Sequence, residues 1–318
     1  MKFVTKMTIL TAFSVFGCLL LISADAKAGI TRTWNESYDV GPGGTLYIES
    51  DLGSITIESN SGNKVEIEVT ARLKTNNEDK ANDILEDLNI DFEQDGDDVS
   101  IFSEFKNRKT WSLWGVTGSS MALEFRVSVP KEYNLDLFTA GGNIEVDDLK
   151  GDIRVETSGG SLSFRSIEGL IEGKTSGGSI ALLECNGDVD IKTSGGSITI
   201  GDVEGDVQAH TSGGSINVNE VKGVLNASTS GGSIKARING QPADNCRLTT
   251  SGGSVTVYLN RDINIDIDAS TSAGHVDTDF PVTIRGKVRK SSLKGQVNEG
   301  GPELYLRTSA GNINILEI

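Results

Sequence analysis

Hydrophobic and polar residues alternate through most of the chain, and from residue 139 onward the alternation recurs with a fixed period of 18 residues. The phrase Thr-Ser-Gly-Gly-Ser, followed by Ile or Leu, marks each period and begins at Thr157, Thr175, Thr193, Thr211 and Thr229. A related phrase begins 18 residues earlier, and looser copies follow, at Thr139, Thr250, Thr271 and Thr308. A short fixed period predicts one structural unit per repeat, stacked on its neighbours.

Each repeat can be numbered from its threonine, which is phase 0. Hydrophobic residues occupy phases 5, 7, 14 and 16, as in Ile198, Ile200, Val207 and Ala209. A separation of two residues is the period of a strand, so each repeat is predicted to hold two short strands with one buried face each. Phase 10 is also hydrophobic, and Cys185 occupies it in one copy. Phases 6 and 15 vary freely between repeats, which is typical of positions that face solvent.

The predicted fold class is therefore all-β, a parallel β-solenoid or β-helix of about 18-residue coils. Successive coils pair strand on identical strand, because parallel strands need a crossover and a coil that returns on itself supplies one. The threonine phrases from Thr139 to Thr308 predict about nine coils. At ~4.8 Å between paired strands they would form a rod of roughly 40–45 Å.

Residues 29–138 are β-rich but less regular, and we predict a capping region there, continuous with the repeat solenoid of residues 139–318. Ser50–Ile55 reads as a degenerate first copy of the phrase. One helix is predicted over about Glu78–Asn89, where one face collects Ala81, Ile84, Leu85 and Leu88. A solenoid must cover its open end, so this helix and its neighbouring strands are the expected cap.

Residues 1–28 have the pattern of a secretory signal peptide, with Lys2 and Lys6 before the apolar run Met7–Ile22 and small residues up to Ala28. We expect an exported protein, in the periplasm, at the cell surface or secreted, with no membrane span after cleavage. The formal net charge is −16, and cleavage makes it −18 because three lysines and one aspartate leave. So acidic a protein is not expected to bind nucleic acid.

Two cysteines remain after cleavage, Cys185 and Cys246, and they lie more than three repeats apart. Stacked coils would separate them by ~15 Å, whereas bridged Cα atoms lie within ~7 Å. We therefore expect two free and mostly buried thiols rather than a disulfide.

No catalytic, metal or cofactor site is predicted, and the protein is expected not to be an enzyme. His210 and His275 have no Cys or His partner at metal-ligand spacing. Serines repeated on every coil have no unique base beside them. The alternative is a polysaccharide lyase or hydrolase whose stacked surface charges would be Asp147, Arg154, Arg165, Glu172 and Asp190. The 18-residue period leaves no room for the long loops that would build a groove around them.

One segment departs from the pattern, with Trp111 and Trp114 among the basic residues Lys106, Arg108 and Lys109. Exposed tryptophans beside cations can hold a sugar ring or a protein partner, so Trp111 and Trp114 are candidate ligand contacts. The alternative is that both tryptophans cover the end of the hydrophobic core.

Several of these features together resemble the bacterial adhesin family known as DUF4097. The resemblance rests on the exported chain, on Gly41–Gly44 before Leu46, on Val127–Lys131 leading into the first repeat, and on the Thr-Ser-Gly-Gly-Ser-Ile ladder with Gly-Asp-Val between copies. It spans about residues 35–318. It implies a β-solenoid-like fold and a role in adhesion or at the cell envelope, with no catalytic residues to carry over. Some relatives act in envelope-stress signalling, which implies a regulatory alternative.

The leading hypothesis is a non-enzymatic, exported scaffold that presents a rigid solenoid surface to a glycan, a cell-wall polymer or another envelope protein. The last repeat, Leu304–Ile315, is apolar, and the chain ends at Ile318. An uncovered edge strand pairs readily with another chain. Self-association through this C-terminal edge is therefore a further expectation.

Overall fold

The computed structural model describes residues 29–106, 121–284 and 289–318. These residues form 28 strands and one helix, arranged as two sheets of 14 strands each. The two sheets face each other across one hydrophobic core. The predicted all-β, solenoid-like fold is confirmed. The predicted signal peptide, residues 1–28, and the candidate contacts Trp111 and Trp114 lie outside the described residues.

The N-terminal part contains seven strands and the helix. They are β1 (Thr31–Asp39), β2 (Thr45–Ser50), β3 (Ser54–Asn60), β4 (Lys64–Leu73), α1 (Glu78–Glu86), β5 (Leu88–Asp95), β6 (Asp98–Phe105) and β7 (Met121–Pro130).

The repeats supply the remaining strands. The first group is β8 (Asn134–Thr139), β9 (Ile144–Val146), β10 (Leu149–Lys150), β11 (Ile153–Thr157), β12 (Leu162–Glu168), β13 (Ile171–Thr175), β14 (Ile180–Asn186), β15 (Val189–Thr193), β16 (Ile198–Val203), β17 (Val207–Thr211) and β18 (Ile216–Val221). The second group is β19 (Leu225–Thr229), β20 (Ile234–Ile238), β21 (Cys246–Thr250), β22 (Val255–Leu259), β23 (Ile265–Thr271), β24 (Val276–Thr278), β25 (Val282–Ile284), β26 (Ser292–Val297), β27 (Glu303–Thr308) and β28 (Ile313–Glu317).

Each coil gives one strand to each sheet. The sheet that contains β16 is called sheet 1 and the sheet that contains β15 is called sheet 2, and the Thr193–Ser197 turn joins the two strands. Neighbouring coils pair in parallel and in register, so Ile198 lies opposite Ile180 on one side and Ile216 on the other. Like residues therefore stack in columns, as the 18-residue period predicted.

The threonine of each phrase joins two coils by hydrogen bonds inside the core. The Thr193 hydroxyl donates to the carbonyl of Gly178 in the preceding coil at 2.7 Å and accepts from the Gly196 N–H at 3.4 Å. The same arrangement recurs down the column, at Thr139, Thr157, Thr175, Thr211, Thr229, Thr250, Thr271 and Thr308. All nine threonines are buried, and each hydroxyl has a partner, as a buried polar group requires.

The second glycine of the phrase is required by close approach of the backbone. A Cβ atom added at Gly196 would lie 2.2 Å from the Gly178 carbonyl oxygen, far inside van der Waals contact. In the first coils, the corner glycine at phase 12 is required by its backbone conformation. Gly169, for example, has φ +147°, a conformation that favours glycine. Any side chain at Gly196 would push neighbouring coils apart.

The core compensates for differences in side-chain size within a coil. Phe164 is the largest residue of the phase 7 column, and it is fully buried. Across the core, phase 16 of the same coil holds Gly173, whose added Cβ would lie 3.4 Å from the Phe164 Cζ atom. A large residue on one sheet is thus matched by glycine on the other, which keeps the coil the same width as its neighbours.

The order of coils in the stack differs from the order of the chain at the N-terminal end. The coil of β2 and β3 lies between the coil of β6 and β7 and the coil of β8 and β9. The Thr139 hydroxyl donates to the carbonyl of Gly53, which lies 86 residues away in sequence. Ser50 pairs with Thr139, and Ile55 pairs with Ile144, so the interpretation of Ser50–Ile55 as a first copy is confirmed.

The C-terminal coil is also inserted rather than terminal. β27 lies between β21 and β23, and β28 lies between β22 and β24. The threonine column follows the same order, because Thr308 donates to the Gly253 carbonyl and Thr271 donates to the Gly311 carbonyl. The expectation that the last repeat forms an exposed C-terminal edge is wrong, because both of its strands are paired on both sides.

Antiparallel strands cover much of each end of the stack. β1, β4 and β7 pair antiparallel in sheet 1, and β5 pairs antiparallel with β6 in sheet 2. At the other end, β23, β26 and β25 pair antiparallel in sheet 2. These strands break the parallel register, and they leave fewer open edges on which another solenoid could stack.

The helix begins at Glu78, as predicted, but it ends at Glu86 rather than at Asn89. The Asn77 side chain caps its first turn by accepting from the Lys80 N–H at 3.1 Å. Its end is set by strand pairing, because Leu88 lies opposite Phe105 in the β5–β6 ladder. In the described part of the chain, no helix is long and apolar enough to cross a membrane.

Replacing Thr193 by valine tests the hydrogen-bonded column. The change keeps the side-chain shape but leaves the Gly178 carbonyl without its donor, so the free energy of unfolding should fall by about 1–3 kcal/mol. Chemical denaturation measures the loss. Thr199→Val on the outer face is the matched control and should change stability by less than about 0.5 kcal/mol. Equal effects of the two variants would contradict the role of the column.

Replacing Ile315 by aspartate tests the inserted position of the C-terminal coil. Ile315 is fully buried and pairs with Val257 in β22 and with Thr278 in β24. A charge there should therefore speed amide exchange in both neighbouring strands, as measured by hydrogen–deuterium exchange. Asn314→Asp, on the outward side of the same strand, is the control. Faster exchange in β24 with no change in β22 would show that the coil is terminal after all.

Candidate functional site

The charged residues of the enzyme alternative do not form one cluster. On sheet 1, Arg165 Nε lies 2.8 Å from Asp147 Oδ1. On the other sheet, Arg154 Nε lies 2.9 Å from Glu172 Oε2, and Asp190 pairs with Lys192. The five residues therefore form separate ion pairs on two outer faces that point away from each other.

The two histidines also lie apart. His210 belongs to β17 in sheet 2, and its Nδ1 atom lies 2.7 Å from the Ser228 hydroxyl. His275 precedes β24 in sheet 1, and its Nε2 atom lies 2.9 Å from Asp277 Oδ2. Among residues 29–106, 121–284 and 289–318, no group of three His, Cys, Asp or Glu side chains stands in a metal-binding arrangement.

The ion pairing of surface cations is interrupted partway along the repeats. From residue 134 to 222, every lysine and arginine has a carboxylate partner, and the pairs are Lys150–Glu132, Arg154–Glu172, Arg165–Asp147, Lys174–Glu156, Lys192–Asp190 and Lys222–Glu204. The next three cations are Lys235, Arg237 and Arg247. In the described part of the chain, none of these three has a carboxylate partner.

The sequence itself carries a signal for this change. Residues 223–240 contain no aspartate or glutamate and carry both Lys235 and Arg237. Each of the four 18-residue segments before it, from residue 151 to 222, contains at least two acidic residues. In a chain with a net charge of −16, an acid-free coil with two cations is a local reversal of charge.

The two sheet 1 cations line a surface hollow with a volume of ≈ 440 Å³. We call it the basic hollow and define it by Thr199, Asn217, Asn219, Lys235, Arg237 and Tyr258. Asn217 pairs with Lys235 across neighbouring strands, and Arg237 pairs with Tyr258. The Lys235 Nζ atom lies 5.5 Å from the centroid of the Tyr258 ring. Amides, a hydroxyl, two cations and an aromatic ring thus meet on one open face.

Two carboxylates on strands that cross the basic hollow, those of Asp202 in β16 and Glu220 in β18, are bonded to amides rather than to its cations. Asn219 Nδ2 donates to Asp202 Oδ1 at 2.6 Å. In the next coil, Asn239 Nδ2 donates to Glu220 Oε1 at 3.2 Å. The guanidinium group of Arg237 and the ammonium group of Lys235 therefore remain available to a ligand.

The third unpaired cation lies on the opposite face. Arg247 stacks on Tyr305 with its Cζ atom 4.0 Å from the ring centroid, and Arg307 lies 3.9 Å from the same centroid. Arg307 is tied to Asp268 by an ion pair of 2.8 Å, whereas Arg247 is held by the ring alone. The contact with the ring holds the Arg247 side chain in place, and the positive charge of Arg247 remains exposed on sheet 2.

An aromatic patch marks the N-terminal end of sheet 2. Tyr47 and Phe102 are each 39% exposed, and Phe138 is 37% exposed. Glu49 lies between Phe102 and Phe138 in the same outward column, because it pairs with both. Large apolar rings grouped on an outer face are uncommon in folded proteins.

The two described cysteines are free and buried, as predicted. Burial raises the pKa of the Cys185 thiol to about 12, and the negative charge of Asp188 adds to the effect. Burial also raises the pKa of Cys246. A raised pKa favours the protonated thiol at neutral pH, and burial keeps both side chains from contact with a substrate, so neither residue is suited to nucleophilic chemistry.

The chain belongs to the Toastrack DUF4097 family, whose model matches residues 45–316. The resemblance read from the threonine phrase is thereby confirmed. No curated protein sequence matches the chain.

Three solved structures are similar in fold. A "putative cell adhesion protein" from Clostridium sporogenes has 14% identity and a TM-score of 0.25, with 90% of this chain and 100% of that chain covered. A "putative adhesin" from Bacteroides fragilis has 11% identity and a TM-score of 0.37, covering 90% and 97%. A "putative lipid binding protein" from Parabacteroides distasonis has 12% identity and a TM-score of 0.37, covering 90% and 96%. Their names describe those proteins, and similarity at this level carries no functional argument.

Thiol labelling tests the burial of the cysteines. Folded protein treated with iodoacetamide at pH 8 should leave Cys185 and Cys246 unmodified, because burial keeps both thiols protonated and out of contact with the reagent. Both should react in urea. A Thr199→Cys variant places a thiol on the outer face and is the positive control. Peptide mass spectrometry measures each site, and rapid labelling of Cys185 in the folded protein would contradict the buried assignment.

Proposed function

We propose that this Toastrack-family protein is an exported, non-enzymatic binding protein of the cell envelope, which acts as an adhesin or scaffold. Its ligand is a glycan or cell-wall polymer held on the outer faces of the stack. The signal-peptide pattern of residues 1–28 supports export to the periplasm, the cell surface or the medium.

The observation that carries the proposal is the chemistry of the basic hollow. Its amides and hydroxyl can exchange hydrogen bonds with sugar hydroxyls, and the Tyr258 ring offers a flat apolar face. The hollow lies across four neighbouring strands, β16, β18, β20 and β22, so it suits a ligand that extends along the stack. Rigid columns beneath the surface hold these groups in place without a ligand, which lowers the entropic cost of binding.

The same lining supports binding rather than catalysis. Most glycosidases use two carboxyl groups, one on either side of the bond that is cleaved. Among the described residues, the lining of the basic hollow has no Asp or Glu, and the carboxylates of Asp202 and Glu220 on β16 and β18 are each bonded to an asparagine. A sugar polymer in the hollow would therefore meet hydrogen-bonding and charged groups without a general acid and base pair.

A combined binding and product assay tests this function. Purified protein is offered a panel of immobilised glycans and cell-wall fragments, and retention and released products are read in the same wells. We expect retention of at least one polymer without any product. Released products would instead support the lyase or hydrolase alternative. An absence of retention across the panel would contradict a glycan-binding role and favour a regulatory envelope protein.

A further inference from the structure

We propose that the basic hollow binds an acidic polysaccharide, one whose carboxylate groups are separated by neutral sugars. Arg237 and Lys235 would contact a carboxylate, and Tyr258 would contact the face of a neighbouring sugar. This inference rests on the proposed function and names the class of polymer.

The unpaired charge is the first argument. Six consecutive cations in the preceding coils have carboxylate partners, whereas Lys235 and Arg237 have none among the described residues. A guanidinium group forms two parallel hydrogen bonds to a carboxylate, and such bonds are the strong ones in protein recognition. The acid-free coil therefore leaves a carboxylate-binding pair of side chains available.

Spacing along the sheet is the second argument. Asn217, Lys235 and Thr256 occupy one outward column, and pairing puts them on neighbouring strands ~4.8 Å apart. Arg237 and Tyr258 form the next column of the same two strands. A linear polymer along the stack would thus meet a neutral amide, then a pair of cations, then a hydroxyl and an aromatic ring. This order suits a polymer in which charged and neutral sugars alternate.

The surrounding charge selects against denser polyanions. The chain has a net charge of −16, and Asp202 and Glu220 lie at the side of the basic hollow. A nucleic acid or another polymer with a charge on every unit would place anions beside these carboxylates as well as beside the cations. Repulsion from the whole surface would then offset the local attraction. A polymer with widely spaced carboxylates avoids this repulsion.

Hyaluronan is the probe for the test, because it alternates a uronate with a neutral amino sugar. Its binding to purified protein is compared with binding of carboxyl-reduced hyaluronan, of polygalacturonate and of dextran. We expect hyaluronan to bind most tightly and to weaken as salt is raised. Lys235→Gln and Arg237→Gln should each weaken hyaluronan binding about tenfold, since each removes a charged hydrogen bond.

Arg165→Gln is the matched control variant. Arg165 occupies phase 8 on the outer face of sheet 1, as Arg237 does, but it is paired with Asp147. The Arg165→Gln variant removes the same charge from the protein as Arg237→Gln does. Because it leaves the basic hollow intact, hyaluronan binding should change less than twofold. Arg237→Lys keeps the charge without the planar fork and should fall between wild type and Arg237→Gln. Circular dichroism melting curves confirm that each variant is folded.

The outcomes separate this inference from the proposed function. Retention of dextran but not hyaluronan would support glycan binding and overturn the acidic class. Equal weakening by Arg237→Gln and Arg165→Gln would place binding elsewhere on the protein, and equal binding of carboxyl-reduced hyaluronan would remove the role of the carboxylate. If none of the four polymers and no member of the glycan panel is retained, both the site and the proposed function fail.

Discussion

The structure depends on one repeated interaction, the hydrogen bond from a buried threonine hydroxyl to a glycine carbonyl in the preceding coil. At Thr193 this bond reaches Gly178 over 2.7 Å, and the same hydroxyl accepts from the Gly196 N–H. The bond to the glycine carbonyl sets the distance between coils, and the bond from the glycine N–H fixes the turn within a coil. The close approach of Gly196 to the Gly178 carbonyl leaves no space for a side chain, so the glycine is as constrained as the threonine.

A rigid interior allows the outer faces to vary. The coil fixes the position of each outward residue along the stack, and a change of that residue does not disturb the core beneath it. Lys235 and Arg237 can therefore stand where the preceding coil has asparagines. The inward residues that alternate with them, Ile234, Ala236 and Ile238, stay buried in the core. The basic hollow arises from this freedom, and its function would require only a few substitutions on an unchanged frame.

The Arg247–Tyr305 contact shows how the inserted C-terminal coil shapes the surface. Tyr305 reaches Arg247 because β27 pairs with β21, although 58 residues separate them in sequence. Had the coils stacked in chain order, β23 would occupy that place and would offer Asp266 or Asp268 to Arg247. The inserted coil thus replaces a carboxylate neighbour with an aromatic ring, and the Arg247 charge stays unneutralised.

The sequence by itself determined the coil, its two strands and its buried columns, because an 18-residue period with apolar residues two apart admits few other structures. The sequence also shows that segment 223–240 has no acidic residue, since the charged residues of each coil can be counted directly. Only the tertiary structure decided the stacking order, because Thr250, Thr271 and Thr308 present equivalent phrases and identical pairing groups. The ion pair of Arg165 with Asp147 follows from the period, because the two residues stand 18 apart and so lie on neighbouring strands. The contact of Arg247 with Tyr305 does not, because it depends on the inserted C-terminal coil.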